Sequence, residues 1–249
     1  MADSRDQQPL NEETWNNRTR RLLGDERVER LRNASVLIVG VGGVGGYAAE
    51  MLARTGVGKL TLVDADNVAE SNINRQLIAL QSTVGEPKSL LFAERFHDIN
   101  PEAEIVSHVE FLSPDNVEQI FHGNIFDYVI DAIDTVAPKV ALIEFCLRHS
   151  IPIISSMGAG GRVDPTKIGY FNIWETREDG LAKAVRQKMK SIGLRKNLKV
   201  VASTEKPCSH SLIHINTANK RSSYGTIATI PSIFGIYLAN HVIRSLTGV

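Results

Sequence analysis

The sequence predicts an α/β protein with a doubly wound, mostly parallel sheet. Short apolar runs rich in Val, Ile and Leu recur without polar alternation, which is typical of strands that are buried on both faces. Segments with helical spacing separate these runs, so that successive strands are joined by right-handed crossovers. The first run ends in a cluster of glycines that opens a helix, which is typical of nucleotide-binding α/β domains.

The predicted elements alternate over the first two thirds of the chain. Strands are predicted at 35–40, 59–66, 103–110, 126–134 and 151–156. Helices are predicted at 12–32, 47–56, 86–100, 113–123 and 136–150. Each helix is bounded by the residues that usually end helices, such as the glycine after residue 55 and the proline after residue 100.

The pattern changes after the glycine-rich turn at 158–161. The ranges 167–174 and 198–204 are predicted as strands of an added lobe, 178–191 as a basic helix and 230–246 as a buried closing helix. We therefore divide the chain into an N-terminal helical arm (1–33), a nucleotide-binding core (34–160) and a small C-terminal lobe packed on the core (161–249).

Composition excludes several classes of protein. The 249 residues carry a formal net charge of zero, so a polyanion would have to bind at a local basic patch. The two cysteines cannot form a disulfide scaffold, and without a CxxC pair no zinc is expected. The N-terminus has no apolar run, and no apolar stretch is long enough to span a bilayer. We expect a cytoplasmic protein without a membrane partner.

The first functional signal is the glycine loop, defined here as residues 40–45. Gly40, Gly42, Gly43 and Gly45 follow a strand and open a helix, the context in which a GxGxxG pattern binds phosphates. Glycines allow a tight turn, and the exposed amides and the helix dipole attract negative charge. Asp64 ends the next strand, where a carboxylate usually binds a ribose hydroxyl. A glycine-rich packing turn or an NAD-linked dehydrogenase would share these features.

The second signal is a set of polar residues at strand ends, which distinguishes between these alternatives. It comprises Asp64, Asp66, Asn72, Asn74, Arg75, Gln76, Lys88, Asp131 and Asp134. In a doubly wound sheet these loops converge on the carboxyl edge of the strands. A triphosphate attacked at its α-phosphorus needs cations such as Arg75 and Lys88, and a carboxylate such as Asp134 can hold Mg²⁺. The sequence therefore predicts ATP and Mg²⁺ rather than a dinucleotide, with solvated surface ion pairs as the alternative.

These motifs also resemble a known superfamily. GVGGVG, VDADNV, SNINRQ, VGEPK and DAID stand in the order seen in the ubiquitin-activating-enzyme-like superfamily, over residues 15–160. The resemblance implies a Rossmann-like fold in which Asp64 binds ribose, Asn72 orients the phosphates, and Arg75 and Lys88 contact them. It implies that Asp134 holds Mg²⁺. It further implies a homodimer in which an N-terminal arginine reaches the partner's ATP; Arg21 is the candidate and Arg18 the alternative.

The second half of the chain resembles one branch of that superfamily. The sulfur-carrier branch has two CxxC pairs and a cysteine on its crossover loop, and this chain lacks these motifs. GAGG followed by DPTKI, at 158–168, is similar to the tRNA threonylcarbamoyladenosine dehydratase branch. That resemblance implies adenylation of the threonyl carboxylate on the tRNA, followed by ring closure. Positioning and charge neutralisation would supply most of the rate.

A basic segment provides a candidate tRNA surface. Within 183–199, which contains no acidic residue, the candidates are Arg186, Lys188, Lys190, Arg195 and Lys196. A solvated helix face is the alternative.

Cys208 lies near His210 and is interpreted as an incidental surface thiol, although a thioester or persulfide role stays open. Arg162 and Asp164 could face the substrate or form an ion pair in a turn.

Three other functions remain open on sequence alone. A sulfur-carrier adenylyltransferase would need a small protein that ends in Gly-Gly. An NAD-linked oxidoreductase would bind nicotinamide, and SNINRQ with Lys88 argues against it. A scaffold that only senses nucleotide would not turn ATP over. A cysteine-desulfurase or sulfur-acceptor partner is also left open.

Overall fold

A computed structural model describes residues 14–214 and 222–249. Seven strands form one sheet in the order β3-β2-β1-β4-β5-β7-β6, and two more strands form a hairpin. The strands are β1 Ser35–Val39, β2 Lys59–Val63, β3 Glu104–His108, β4 Tyr128–Asp131, β5 Ile153–Ser156, β6 Ile168–Asn172, β7 Lys199–Ser203, β8 Leu212–His214 and β9 Ser222–Tyr224. All neighbouring pairs in the large sheet are parallel except β6 with β7. The predicted fold class is confirmed.

Eight α-helices are present in the described ranges. They are α1 Asn17–Leu23, α2 Asp25–Arg32, α3 Gly45–Thr55, α4 Lys88–Ile99, α5 Val117–Phe121, α6 Val136–Arg148, α7 Gly180–Ser191 and α8 Thr229–Thr247. The single helix predicted for 12–32 is two helices, because the chain turns at Gly24; residues 12 and 13 lie outside the described residues. None of the helices in the described part of the chain has the length and apolar character needed to cross a bilayer.

Helices cover both faces of the sheet. Alternate residues of β1 point to opposite sides: Val36 and Ile38 belong to one core, and Leu37 and Val39 to the other. The first core lies under α3, α4 and α8, and the second under α5, α6 and α7. This double burial explains why the sequences of β1 and β4 are almost continuous apolar runs. The closing helix α8 crosses α3 so closely that a Cβ on Gly235 would overlap the carbonyl oxygen of Val44, the residue just before α3.

Two strands expected in an added lobe lie instead in the central sheet. β7 pairs in parallel with β5, and β6 pairs antiparallel with β7 to form the edge. Val200 and Val201 are fully buried, each in a different core, so this run has the same environment as the central strands. The sequence suggests an added lobe because its pattern changes after the glycine-rich turn at 158–161. The divisions at 33/34 and 160/161 stay predictions.

The strand order places a crevice at the carboxyl end of β1. β1 pairs with β2 on one side and with β4 on the other, so the crossovers that follow these strands leave in opposite directions. Ligands of open α/β sheets bind at such a switch point, outside the carboxyl ends of the strands. The glycine loop follows β1 directly.

Candidate active site

The glycine loop is a compact turn whose last glycine has no room for a side chain. Gly40 has φ +84°, and its amide donates to the carbonyl of Val63 at 2.8 Å, which ties the loop to β2. A Cβ on Gly45 would overlap the carbonyl oxygen of Gly40. Only glycine therefore allows α3 to begin directly above the strand end. The amino end of this 11-residue helix faces the crevice, as a phosphate-binding helix requires.

The polar segment that follows β2 lies against this loop. A Cβ on Gly42 would stand 3.5 Å from the side-chain nitrogen of Gln76, and one on Gly43 would stand 3.4 Å from the Cγ of Arg75. The structure thus brings together the loop and the SNINRQ segment, as their positions at strand ends predicted.

Asp64 connects the two segments. Its Oδ2 accepts from the amide of Val41 at 2.7 Å, and its Oδ1 accepts from the amide of Asp66 at 2.8 Å. Burial raises the pKa of the Asp64 carboxyl above its ordinary value, opposed by these amide bonds and by the positive charge of Lys88. A partly buried carboxylate beside the glycine loop is suited to accept hydrogen bonds from ribose hydroxyls.

Lys88 is a buried cation at the start of a helix. It is 3% exposed and is the first residue of α4, where the helix dipole disfavours positive charge. Its Nζ donates to Oδ2 of Asp66 at 2.9 Å. Asp66 is mostly exposed, so it can release the amine to a phosphate at small cost. Asp66 therefore holds Lys88 in place in this structure.

Gln76 has a buried acceptor that none of the described residues satisfies. It is 8% exposed, and its Oε1 has no hydrogen-bond partner among residues 14–214 and 222–249. Such atoms are rare in folded proteins and often face a ligand. Because the same side chain lies beside Gly42, this orphaned atom fits a ligand seated on the glycine loop.

Arg75 and Asn72 shape the loop around Gln76. Arg75 Nη1 donates to the carbonyl of Ser71 at 2.8 Å and to Oδ1 of Asn74 at 2.9 Å. Asn72 is buried, and its Oδ1 accepts from the amide of Ala69 at 3.1 Å. Asn72 thus closes a single 3-10 turn, which fixes the direction of the segment. Arg75 is half-buried, and its Cγ lies beside Gly43 of the glycine loop.

Asp134 lies exposed in the turn between β4 and α6. No group of three or more His, Cys, Asp or Glu side chains in the described ranges could hold a metal ion. A divalent cation at Asp134 would therefore take its remaining ligands from phosphates and water, which is the usual arrangement for Mg²⁺ with a nucleotide. The assignment of Asp134 to Mg²⁺ stays a prediction.

Sequence reasoning missed a buried lysine behind this turn. Lys139 is fully buried, and its Nζ lies 2.6 Å from Oδ2 of Asp131, which is also fully buried. The sequence groups Asp131 with the polar residues at the edge of the sheet, but its carboxylate points into the protein. A single lysine within the apolar run VAPKVALI was the available signal.

The predicted tRNA residues divide into two groups. Lys188, Lys190 and Arg195 are exposed. Arg186 is half-buried, and its guanidinium donates to Thr176 Oγ1 and to the carbonyl of Ile173. Lys196 Nζ donates to a backbone carbonyl of α6 at 2.6 Å. The first three side chains form the surface that is best placed to meet a phosphate backbone.

The arginines proposed for the partner's ATP lie on α1, where Arg18 and Arg21 are both exposed. Their role in a dimer stays a prediction.

Arg162 and Asp164 do not form the turn ion pair considered from sequence. Arg162 is 2% exposed and pairs with Asp179 at 3.3 Å, whereas Asp164 caps the short helix that follows it.

The two cysteines differ in environment. Cys146 is fully buried, and burial raises the pKa of its thiol to about 12, in agreement with the predicted packing role. Cys208 is exposed, and its Sγ lies 3.1 Å from Nδ1 of His210. Its amide donates to the carbonyl of Gly161 at 2.7 Å, so the thiol is near the GAGG turn.

Comparisons with known proteins agree with this geometry. The model of the ThiF family matches residues 16–249. The tRNA threonylcarbamoyladenosine dehydratase of Bacillus subtilis is 42% identical, over 90% of this chain and 91% of that protein. A crystal structure of the E. coli tRNA N6-threonylcarbamoyladenosine dehydratase with ATP has a TM-score of 0.86 and 38% identity, over 94% of this chain and 93% of that chain. The complex of that enzyme with AMP has a TM-score of 0.84 and 38% identity, over 92% of both chains. The chain belongs to the ThiF family, and within it to the tRNA threonylcarbamoyladenosine dehydratases.

Proposed function

We propose that this chain uses ATP to activate the threonyl carboxylate of N6-threonylcarbamoyladenosine in tRNA, and then closes that group into a ring. The observation that carries the proposal is the glycine loop with Arg75 and the unsatisfied Gln76 beside it, together with the buried Lys88 bound to Asp66. A dinucleotide would need no such cations, whereas attack on a triphosphate does. The ATP and AMP complexes of the 38% identical relative support both ends of an adenylation reaction.

The first step joins the carboxylate to AMP. An oxygen of the threonyl carboxylate attacks the α-phosphorus of ATP, the bond to the β-phosphate oxygen breaks, and pyrophosphate leaves. Lys88 and Arg75 neutralise the charge that develops on the phosphate oxygens, and Asp64 accepts hydrogen bonds from the ribose. Mg²⁺ held by Asp134 would screen the same charge when it is bound.

The second step needs no protein nucleophile. An atom of the neighbouring carbamoyl group attacks the activated carbonyl carbon, the bond to AMP breaks, and one proton is released. The carboxylate oxygen departs with AMP, so the nucleoside has lost the elements of water. The protein contributes positioning, because both reacting groups already belong to one molecule. Cys208 has no role in this scheme.

The partners follow from the same proposal. The exposed Lys188, Lys190 and Arg195 contact the tRNA backbone, and Arg21 of one protomer reaches the ATP of the other in a homodimer. The N-terminal arm, 1–33, serves this contact; its first 13 residues lie outside the described residues. We place the protein in the cytoplasm with its tRNA substrate, and a sulfur-transfer partner is not required by the chemistry.

The test is release of AMP and pyrophosphate from ATP, with and without tRNA that bears threonylcarbamoyladenosine, followed by mass analysis of the nucleosides. The proposal expects stimulation of about tenfold or more, and loss of one water from the modified nucleoside. ATP turnover that this tRNA does not stimulate, but that a small protein ending in Gly-Gly does, would instead indicate a sulfur-carrier adenylyltransferase.

A further inference from the structure

A closed network of buried polar groups lies behind the turn that carries Asp134. Lys139 in α6 and Asp131 at the end of β4 form a fully buried ion pair of 2.6 Å. The Lys139 amine also donates to Ser155 Oγ at 3.1 Å and to the carbonyl of Ser156 at 2.9 Å. All three of its N–H groups therefore have acceptors. Ser155 Oγ in turn donates to Asp131 Oδ2 at 2.5 Å, so the network joins β4, β5 and the first turn of α6.

The other oxygen of Asp131 holds the turn itself. Oδ1 accepts from the amide of Ile133 at 3.0 Å. The turn also packs against the glycine loop. The carbonyl oxygen of Ala132 lies 3.0 Å from the position that a Cβ on Gly40 would occupy. The direction of this turn sets both the position of Asp134 and one wall of the glycine loop.

Stability alone does not explain this network. Two charges removed from water lose solvation, and apolar residues of similar volume often replace a buried ion pair without loss of stability. Neighbouring residues of α6, such as Val140 and Ile143, are apolar and buried. Apolar residues at positions 131 and 139 could therefore have packed in the same environment. A satisfied buried network does, however, fix one local conformation.

We propose that Asp131 is a positioning residue for adenylation, which acts through the amide of Ile133 and is itself held by Lys139 and Ser155. Lys139 and Ser155 bind Oδ2, which directs Oδ1 towards the turn. The turn then presents Asp134 and supports the glycine loop around the triphosphate. This role rests on the proposed adenylation reaction, since it concerns the geometry of that site.

Two neutral double variants separate the positioning role from the ion pair. Asp131→Asn with Lys139→Met keeps an acceptor for the Ile133 amide, whereas Asp131→Leu with Lys139→Met removes it. Both variants lack the buried charges, so both should fold with similar melting temperatures. The leucine variant should lose about a hundredfold in kcat for AMP release, with a smaller change in KM for ATP. The asparagine variant should stay within about fivefold of the wild type, because its Nδ2 can donate to Ser155 Oγ and its Oδ1 can still accept from the Ile133 amide.

Equal rates in the two variants, whether high or low, would overturn the assignment, since they differ in the hydrogen bond to Ile133. Amide hydrogen exchange of Ile133 in the wild-type protein gives a second test that requires no substitution. The proposal expects slowing of at least about a hundredfold relative to an unstructured amide, and exchange at the unstructured rate would overturn it. A wild-type protein that never releases AMP would refute the proposed function, while this exchange measurement would still decide whether Asp131 holds the turn.

Discussion

Replacement of Lys88 by Met separates catalytic charge from structural charge. Lys88 is buried and pairs at 2.9 Å with Asp66, whose side chain is 73% exposed. Met keeps the length of the aliphatic stem and removes the amine. The abandoned carboxylate stays in water, so the loss of this pair should cost no more than about 1 kcal/mol of unfolding free energy. The melting temperature should therefore change by a few degrees at most.

The rate should fall far more than the stability. If Lys88 neutralises charge that develops on the phosphate, its removal should cost about a hundredfold in kcat, which corresponds to about 2.7 kcal/mol of transition-state stabilisation. AMP release at saturating ATP and modified tRNA measures kcat, and a thermal melt of the same sample measures stability. The two quantities should move apart.

Lys59→Met is the matched control. Lys59 pairs with Glu104 at 2.7 Å, but at the amino ends of β2 and β3, away from the glycine loop. This variant should lose a similar small amount of stability and keep its kcat within about twofold. If Lys88→Met kept kcat within about threefold of the wild type, the assignment of Lys88 to the phosphates would be refuted. A fall in Lys59→Met as large as that in Lys88→Met would show that the loss comes from altered folding.

Three other substitutions have defined outcomes. Gly45→Ala places a Cβ onto the carbonyl oxygen of Gly40 and should weaken ATP binding by at least about tenfold in calorimetric titration, whereas Gly180→Ala, which meets no atom within 4 Å, should bind ATP normally. Replacement of Lys188, Lys190 and Arg195 by Ser should lower tRNA affinity and leave ATP binding unchanged. The slope of log affinity against log salt concentration should fall by about one unit for each phosphate that is no longer neutralised. An unchanged slope would show that this surface is not part of the tRNA site. His241 packs against Tyr128, and burial, aided by Lys199 and Arg244, lowers its pKa from 6.5 to about 4. The unfolded chain therefore takes up a proton between these values that the folded protein does not, and stability should fall as the pH drops through this window. His241→Phe should flatten that dependence in urea titrations between about pH 7 and about pH 4.5, and an identical slope in both proteins would contradict the pKa.

The central part of the fold follows from local sequence. The runs that form β1 and β4 are almost continuously apolar, because both faces of the sheet are covered there. The glycine loop and the SNINRQ segment could be placed together because parallel strands share a carboxyl edge. β6 and β7 could not be assigned to this sheet, since their sequences specify strands but not the neighbour with which each strand pairs.

The contacts of charged side chains were the part of the structure that the sequence predicted least well. The sequence shows where a lysine or an arginine is, but not whether its side chain already forms a hydrogen bond or an ion pair with a residue distant in sequence. Arg186, expected to contact RNA, binds Thr176 and Ile173, and Arg162 pairs with Asp179 across 17 residues of chain. The role of Lys139 could not be predicted because its partner Asp131 lies on another element. Long-range ion pairs depend on how elements pack, which residue spacing does not encode.

Transfer of a carboxylate oxygen to AMP tests the central claim most directly. The threonyl carboxylate of the modified tRNA would be labelled with oxygen-18, and a single turnover with ATP would be followed by mass spectrometry of the AMP. An acyl-adenylate requires one labelled oxygen in the phosphate of AMP. Unlabelled AMP, or release of ADP and labelled phosphate, would contradict activation of the carboxylate at the α-phosphorus.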